Sequence, residues 1–270
     1  MRPTARTRSN RGFRTVAKLC RQYLKWFGNA SYKPERNGER WLLESLREEP
    51  IRSVIDVGAN IGSWALIAEK CFPNATIYAL EAIPRAAAAL RTATAGHQGL
   101  RCFDVGLAAH TGTLTLNYHS AASTHATFTD YPHKWSGEAV ECAVLRGDEF
   151  LAREGIGEVD FVKLDVEGAE HLVLHGLEDS LRAQRIRFVQ FEYGRGNILT
   201  HFLLRDFYEL FRSYGYVVGK IYPDYVDFRE YNLDDEDFLG PNYLACHARD
   251  DLVGRLRGDV TSRRVPSSSS

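Results

Sequence analysis

Residues 54–64, VIDVGANIGSW, carry a β-branched apolar run straight into a glycine-containing turn and then into a helical pattern. A buried strand that ends this way opens a βαβ unit, because a parallel neighbour is reached only through a long crossover, usually a helix. The alternation continues along the chain. Apolar and alternating runs predict strands near 53–57, 75–80, 100–105, 159–165, 186–192, 216–221 and 242–247. Helical spacing predicts helices near 62–71, 84–95, 168–176 and 200–213. Such a chain is expected to be α/β, with a doubly wound, mostly parallel sheet and helices on both faces. An additional β pair is expected at 112–118 and 138–145.

Three stretches differ in character: a basic lead (1–34), the α/β domain (35–256) and a Ser-rich tail expected to be disordered (257–270). The lead carries Arg2, Arg6, Arg8, Arg11, Arg14, Lys18, Arg21, Lys25 and Lys33 without one acid, and Phe13, Val16, Ala17, Cys20, Leu24 and Phe27 recur in it at helical spacing. Two readings stay open: a helix that packs on the body or frays, and a basic amphipathic helix that contacts a membrane surface or a protein. Over the whole chain 34 basic residues face 35 acidic ones, which gives no global electrostatic basis for binding nucleic acid. No run approaches the ~20 apolar residues of a membrane span, and no apolar region follows the N-terminal charges, so a cytoplasmic protein is expected. Cys20, Cys71, Cys102, Cys142 and Cys246 are scattered without ligand spacing, which predicts reduced thiols and no structural metal.

In an open α/β sheet ligands bind beyond the carboxyl ends of the strands, near the switch in strand order, and the 58–62 turn is expected there. Asn60 and Ser63 stand where the dinucleotide fingerprint G-x-G-x-x-G has glycines, so a pyrophosphate is poorly provided for. The pattern D-x-G-x-N-x-G instead resembles motif I of class I S-adenosylmethionine-dependent methyltransferases. That resemblance implies a Rossmann-like class I methyltransferase fold. It implies cofactor contacts from Asp56, Gly58, Ala59, Asn60 and Gly62, and from Glu81 and Ala82 at the end of the second strand, where a carboxylate can accept bonds from both ribose hydroxyls. Asp104, at the end of the third strand, is where an adenine contact is usual in such proteins. A surface acid is the competing reading.

A second cluster, FVKLDVEGAE at 161–170, carries charge to the end of the fourth strand. Lys163 and Asp165, two apart, share a face, so an ammonium there can hold a carboxylate ionised. Glu170 reads as a charge at the next helix's N-terminus. With this cluster the chain resembles the FkbM family of methyltransferases. The matching segments are Asn37-Gly38-Glu39, VIDVGANIGSWA at 54–65, ALEAIP at 79–84, GLAAHTGTLTL at 106–116, FVKLDVEGAEHLVLHGL at 161–177, Phe191-Glu192 and Asn242-Tyr243-Leu244-Ala245.

The resemblance implies O-methylation by S-adenosylmethionine of a hydroxyl on a sugar, polysaccharide or secondary metabolite, so the partner is a small-molecule or glycan acceptor. The candidate proton acceptor is Asp165, then Glu167 or Glu192, with Lys163 beside it. A divalent ion on Asp165, Glu167 and Glu192, or a metal near His171 and His175, is a lesser alternative. A cofactor-binding but inactive domain that serves as a partner-binding module is the competing function. The stretch Ser120 to Ser136, with Tyr118, His119, His125, Tyr131, His133 and Trp135 in or beside it, reads as a lid or an ordinary loop. Tyr208, Phe211, Tyr214 and Tyr216 read as core.

Overall fold

A computed structural model of the chain describes residues 8–118, 126–127, 138–239 and 241–257. Residues 258–270 of the expected tail and most of the expected lid, with His119, His125, Tyr131, His133 and Trp135, lie outside the described residues. Helices α1 (Arg11–Phe27), α2 (Pro34–Asn37) and α3 (Glu39–Ser45) precede the sheet. The alternation then runs β1 (Ser53–Val57), α4 (Ser63–Cys71), β2 (Thr76–Leu80), α5 (Pro84–Ala93) and β3 (Leu100–Phe103). An insertion follows, with β4 (Gly106–Ala108), β5 (Gly112–Tyr118), β6 (Ala126–Thr127), β7 (Glu138–Arg146) and α6 (Gly147–Glu154). The second half runs β8 (Val159–Leu164), α7 (Glu170–Gly176), α8 (Glu178–Arg182), β9 (Ile186–Glu192), α9 (Gly196–Thr200), α10 (Leu204–Ser213), β10 (Tyr216–Tyr222), β11 (Tyr225–Phe228), β12 (Asn242–His247) and α11 (Leu252–Leu256).

The main sheet has the order β11-β10-β12-β9-β8-β1-β2-β3. From β9 to β3 every pairing is parallel, and β12 is inserted antiparallel between β9 and β10. Alternation along the buried strands splits the core in two. Ile55, Val57, Val162, Leu164 and Val189 join Phe150, Leu174, Phe207 and Phe211 on one face. Val54, Ile77, Phe161 and Phe188 join Leu42, Leu46, Trp64 and Ala68 on the other. The fold is the expected α/β architecture.

Several boundaries differ from the expected ones. The third strand stops at Phe103, because Gly106 already belongs to a second sheet of order β4-β7-β5-β6, which contains the expected additional pair. The helix expected over 200–213 is two helices, interrupted where His201 adopts a left-handed φ of 56°.

Candidate active site

The chain leaves β1 to build β2 and β3 on one side, then returns to lay β8 and β9 on the other. The switch in strand order therefore falls between the carboxyl ends of β1 and β8, where a ligand cleft is expected. These two ends meet over Gly58. Its φ is 81°, and a Cβ there would lie 2.0 Å from the carbonyl oxygen of Asp165, so only glycine allows the approach. The Asp165 N–H donates to Val57 O at 3.0 Å, which ties the strand ends together.

The turn beyond β1 is fastened to the end of β2. Gly58 and Ala59 N–H groups donate to Leu80 O at 3.0 and 2.9 Å, and the Asn60 N–H donates to Glu81 Oε2 at 2.8 Å. The other Glu81 oxygen accepts from the Ile83 N–H at 2.8 Å. Gly62 N–H is taken by Ala59 O. The N–H groups of Gly58, Ala59, Asn60 and Gly62 are thus already bonded within the protein and form no anion cradle. Burial pushes the Glu81 carboxyl above its ordinary range, against the pull of the Ile83, Asn60 and Ala82 N–H groups, and Asp165 adds to the rise. Ala82 carries its Cβ to the insertion, where a Cβ on Gly106 would lie 3.1 Å away.

Beneath the turn runs a polar row through the sheet. Parallel register places Asp56 beside Lys163 and Lys163 beside Gln190. Lys163 is buried; its Nζ donates to Asp165 Oδ2 at 2.8 Å, lies 3.8 Å from Asp56 Oδ1 and 5.6 Å from the centre of the Trp64 ring. Burial works against the ammonium, but Asp165, Asp56 and Glu39 more than offset it and its pKa is raised. Asp56 is fully buried, with no hydrogen-bond donor on either oxygen among the described residues. Burial lifts it to about 6 although Lys163 pulls the other way. Gln190 donates to Glu39 Oε1 at 2.6 Å, and Asn37 donates to Glu39 Oε2 at 2.8 Å.

At the mouth of this row Asp165 is the accessible member, its side chain 38% exposed. Glu192, at the end of β9, is hydrogen-bonded to Asp165. Burial, then Asp165, Glu167 and Glu170, hold its carboxyl well above the usual range. Glu167 stands in a left-handed turn, φ 54°. Glu170 folds back instead, its Oε1 accepting from the Val166 and Gly168 N–H groups at 3.2 Å each, at the start of α7. Burial raises it to about 8.

Asp104 is exposed and ion-paired with Arg91. His171 stacks on Phe202 with centroids 5.1 Å apart, and His175 meets the same ring edge-on. Among the described residues no group of three or more His, Cys, Asp or Glu is arranged to hold a metal.

Two supporting residues, Glu39 and Gln190, escaped sequence reasoning as members of the site. Gln190 was detectable as the lone uncharged polar residue within the apolar strand IRFVQFE. Glu39 stood in a quoted segment, but nothing local links it to a strand 151 positions away.

A family model described as Methyltransferase FkbM domain matches residues 56–218, more than half of the chain. The chain is 29% identical over 168 residues to 31-O-demethyl-FK506 methyltransferase FkbM of Streptomyces tacrolimicus, covering 52% of this chain and 65% of that relative. It is 26% identical over 164 residues to 2-O-methyltransferase NoeI of Sinorhizobium fredii, covering 55% of this chain and 66% of the relative. The matched region thus spans just under two thirds of these relatives' lengths. A crystal structure of Methyltransferase FkbM from Methylobacillus flagellatus aligns with a TM-score of 0.44 at 16% identity, over 72% of this chain and 43% of that one.

Proposed function

The chain belongs to the FkbM methyltransferase domain family, and on that premise we propose that it moves a methyl group from S-adenosylmethionine to a hydroxyl oxygen of a sugar, polysaccharide or secondary metabolite. The observation that carries the reading is the charge balance at the strand ends. Asp56, Glu81 and Glu192 each feel the field of Asp165, and Lys163 is the cation set between Asp165 and Asp56. Such a site favours a cationic ligand, and a sulfonium is one.

The residues fit the cofactor. Each Glu81 oxygen accepts one backbone N–H, and a carboxylate oxygen has a second lone pair, so a ribose diol can be held by a side chain whose direction is already fixed. Asp56, Gly58, Ala59, Asn60, Gly62 and Ala82 would frame the rest, with Asp104, paired with Arg91 through one oxygen, as the contact to the base. When bound, S-adenosylmethionine supplies a methyl on positively charged sulfur, open to in-line attack.

This chain's own groups then align the acceptor and take its proton. A hydroxyl resembles water, whose pKa is about 15.7, so the proton leaves as the oxygen attacks rather than before. Asp165 is the group to receive it: it is accessible, and an ammonium 2.8 Å away favours the charged form of a carboxyl. Glu192, its carboxyl held well above the usual range by burial and by Asp165, holds Asp165 in place through their hydrogen bond. The names of the two relatives both specify oxygen methylation, which supports an oxygen acceptor here.

Melting temperature with S-adenosylmethionine, its demethylated product and NAD tests the reading. A ligand at about 100 times its Kd adds ~2.7 kcal/mol. A shift with the first two, absent in Glu81→Ala, is expected; no shift with either overturns it.

A further inference from the structure

We propose that α1 is an interfacial helix that docks the protein on an anionic lipid surface. None of its residues is buried, although it carries Phe13, Val16, Leu19, Tyr23, Leu24, Trp26 and Phe27, with Trp26 74% exposed. At 3.6 residues per turn, these seven and Ala17 and Cys20 sweep about half the circumference. Arg11, Arg14, Lys18, Arg21 and Lys25 gather on the opposite side, and the helix contains no acid. A broad apolar face with aromatic residues, under a stripe of cations, is the arrangement that lies in a headgroup boundary.

Charge chooses the occupant. A second copy packed on the apolar face would leave the five cations of each helix on the outside, with no opposite charge to meet them. The chain's own acidic segment is engaged elsewhere: Asp235 and Asp227 pair with Arg229, Asp237 lies beside Lys220, and Glu236 accepts from the Leu204 and Arg205 N–H groups. A narrow protein groove would take one stripe of anchors rather than half a helix. An anionic bilayer accepts both faces at once. The helix is also firmly hung: after Phe27 the chain turns at Gly28 against Leu239, and Asn29 donates to the Asn37 and Ile221 carbonyls at 2.8 and 2.9 Å. Among the described residues no helix is long and apolar enough to cross a membrane.

The full chain would be sedimented with phosphatidylcholine vesicles and with phosphatidylcholine–phosphatidylglycerol vesicles, at low and high salt. Binding to the anionic vesicles alone is expected, weakened by salt. Leu19→Glu with Leu24→Glu, at exposed positions, should abolish binding and leave the melting temperature unchanged. Lys18→Gln should weaken it about fivefold. Cys20, on the apolar face, gives a second readout: the anionic vesicles should shield it from a water-soluble maleimide. No binding to anionic vesicles, equal binding to both compositions, or undiminished binding of the double variant overturns the proposal. So does a dimer in solution that the double variant dissociates, which would give the face to a second copy. None of these outcomes depends on the cofactor, so failure here leaves the methyltransferase reading standing.

Discussion

Lys163 sits between two carboxylates that stand in different positions. Asp165 has solvent on one side, whereas Asp56 has neither solvent nor a hydrogen-bond donor and depends on the ammonium 3.8 Å away. Removing one partner of a buried ion pair costs about 3–5 kcal/mol, because the other charge is left stranded. Lys163→Met is therefore expected to lower the unfolding free energy measured in urea by that amount at neutral pH; Asp56→Asn in the same chain should recover part of it. Asp165→Asn should behave differently: turnover falls by about 10²- to 10⁴-fold, while the melting shift with S-adenosylmethionine persists. Full turnover in Asp165→Asn would remove Asp165 from the proton's path. The Lys163–Asp165 contact was legible in the sequence because residues two apart on a strand share a face. The loneliness of Asp56 was not, since it depends on which side chains from distant segments fail to reach it.

The elements of the first half were legible because each is a long apolar run closed by a turn signal, and β1 to α5 match their expected spans within two residues. α6 and α8 were not: each offers only one or two buried apolar side chains to its face, too few to set up a period. The position of the antiparallel β12 is likewise a property of the assembled sheet, since its own sequence, NYLACH, is buried on both faces wherever it is placed. The acidic segment after β11, unassigned by sequence, acts on an element. Glu236 accepts from the Tyr193 and Tyr231 hydroxyls as well as the N–H groups at the start of α10, and so joins three parts of the chain. Loss of a capping acceptor costs about 0.5–2 kcal/mol. Glu236→Ala should destabilise by the upper end of that range in a urea titration, whereas Asp234→Ala, on the exposed side of the same turn, should change little. Equal effects would mean that the segment's charge, rather than its bonds, matters. At β1, Gly58→Ala places a methyl group against the Asp165 carbonyl and makes an L residue adopt a left-handed φ. A loss of at least ~2 kcal/mol is expected from the backbone alone.

For the molecule as a whole, gathering carboxyls at the strand ends makes stability depend on pH. Burial raises Asp56 to about 6, Glu170 to about 8, and Glu192 above its ordinary range. A carboxyl raised on folding binds its proton more tightly in the folded state, so its contribution is complete below its unfolded pKa near 4 and is lost as pH climbs through the folded value. His171 and His247, lowered by burial, act with the opposite sign, but their unfolded pKa is about 6.5 and their effect is finished above it. Between about pH 6.5 and pH 8.5 the carboxyls therefore govern, and Glu170 alone should remove on the order of 2 kcal/mol of stability. Urea unfolding of the cofactor-free protein across that interval should show stability falling with pH. Glu170→Gln, which keeps an oxygen for the Val166 and Gly168 N–H groups but cannot ionise, should flatten the slope. A slope of full size in that variant would place the stored proton elsewhere, with Glu192 the next carboxyl to replace. The same negative charge should help a cationic ligand, so S-adenosylmethionine is expected to stabilise the protein more at pH 8.5 than at pH 6.5, and its neutral demethylated product to show a smaller difference.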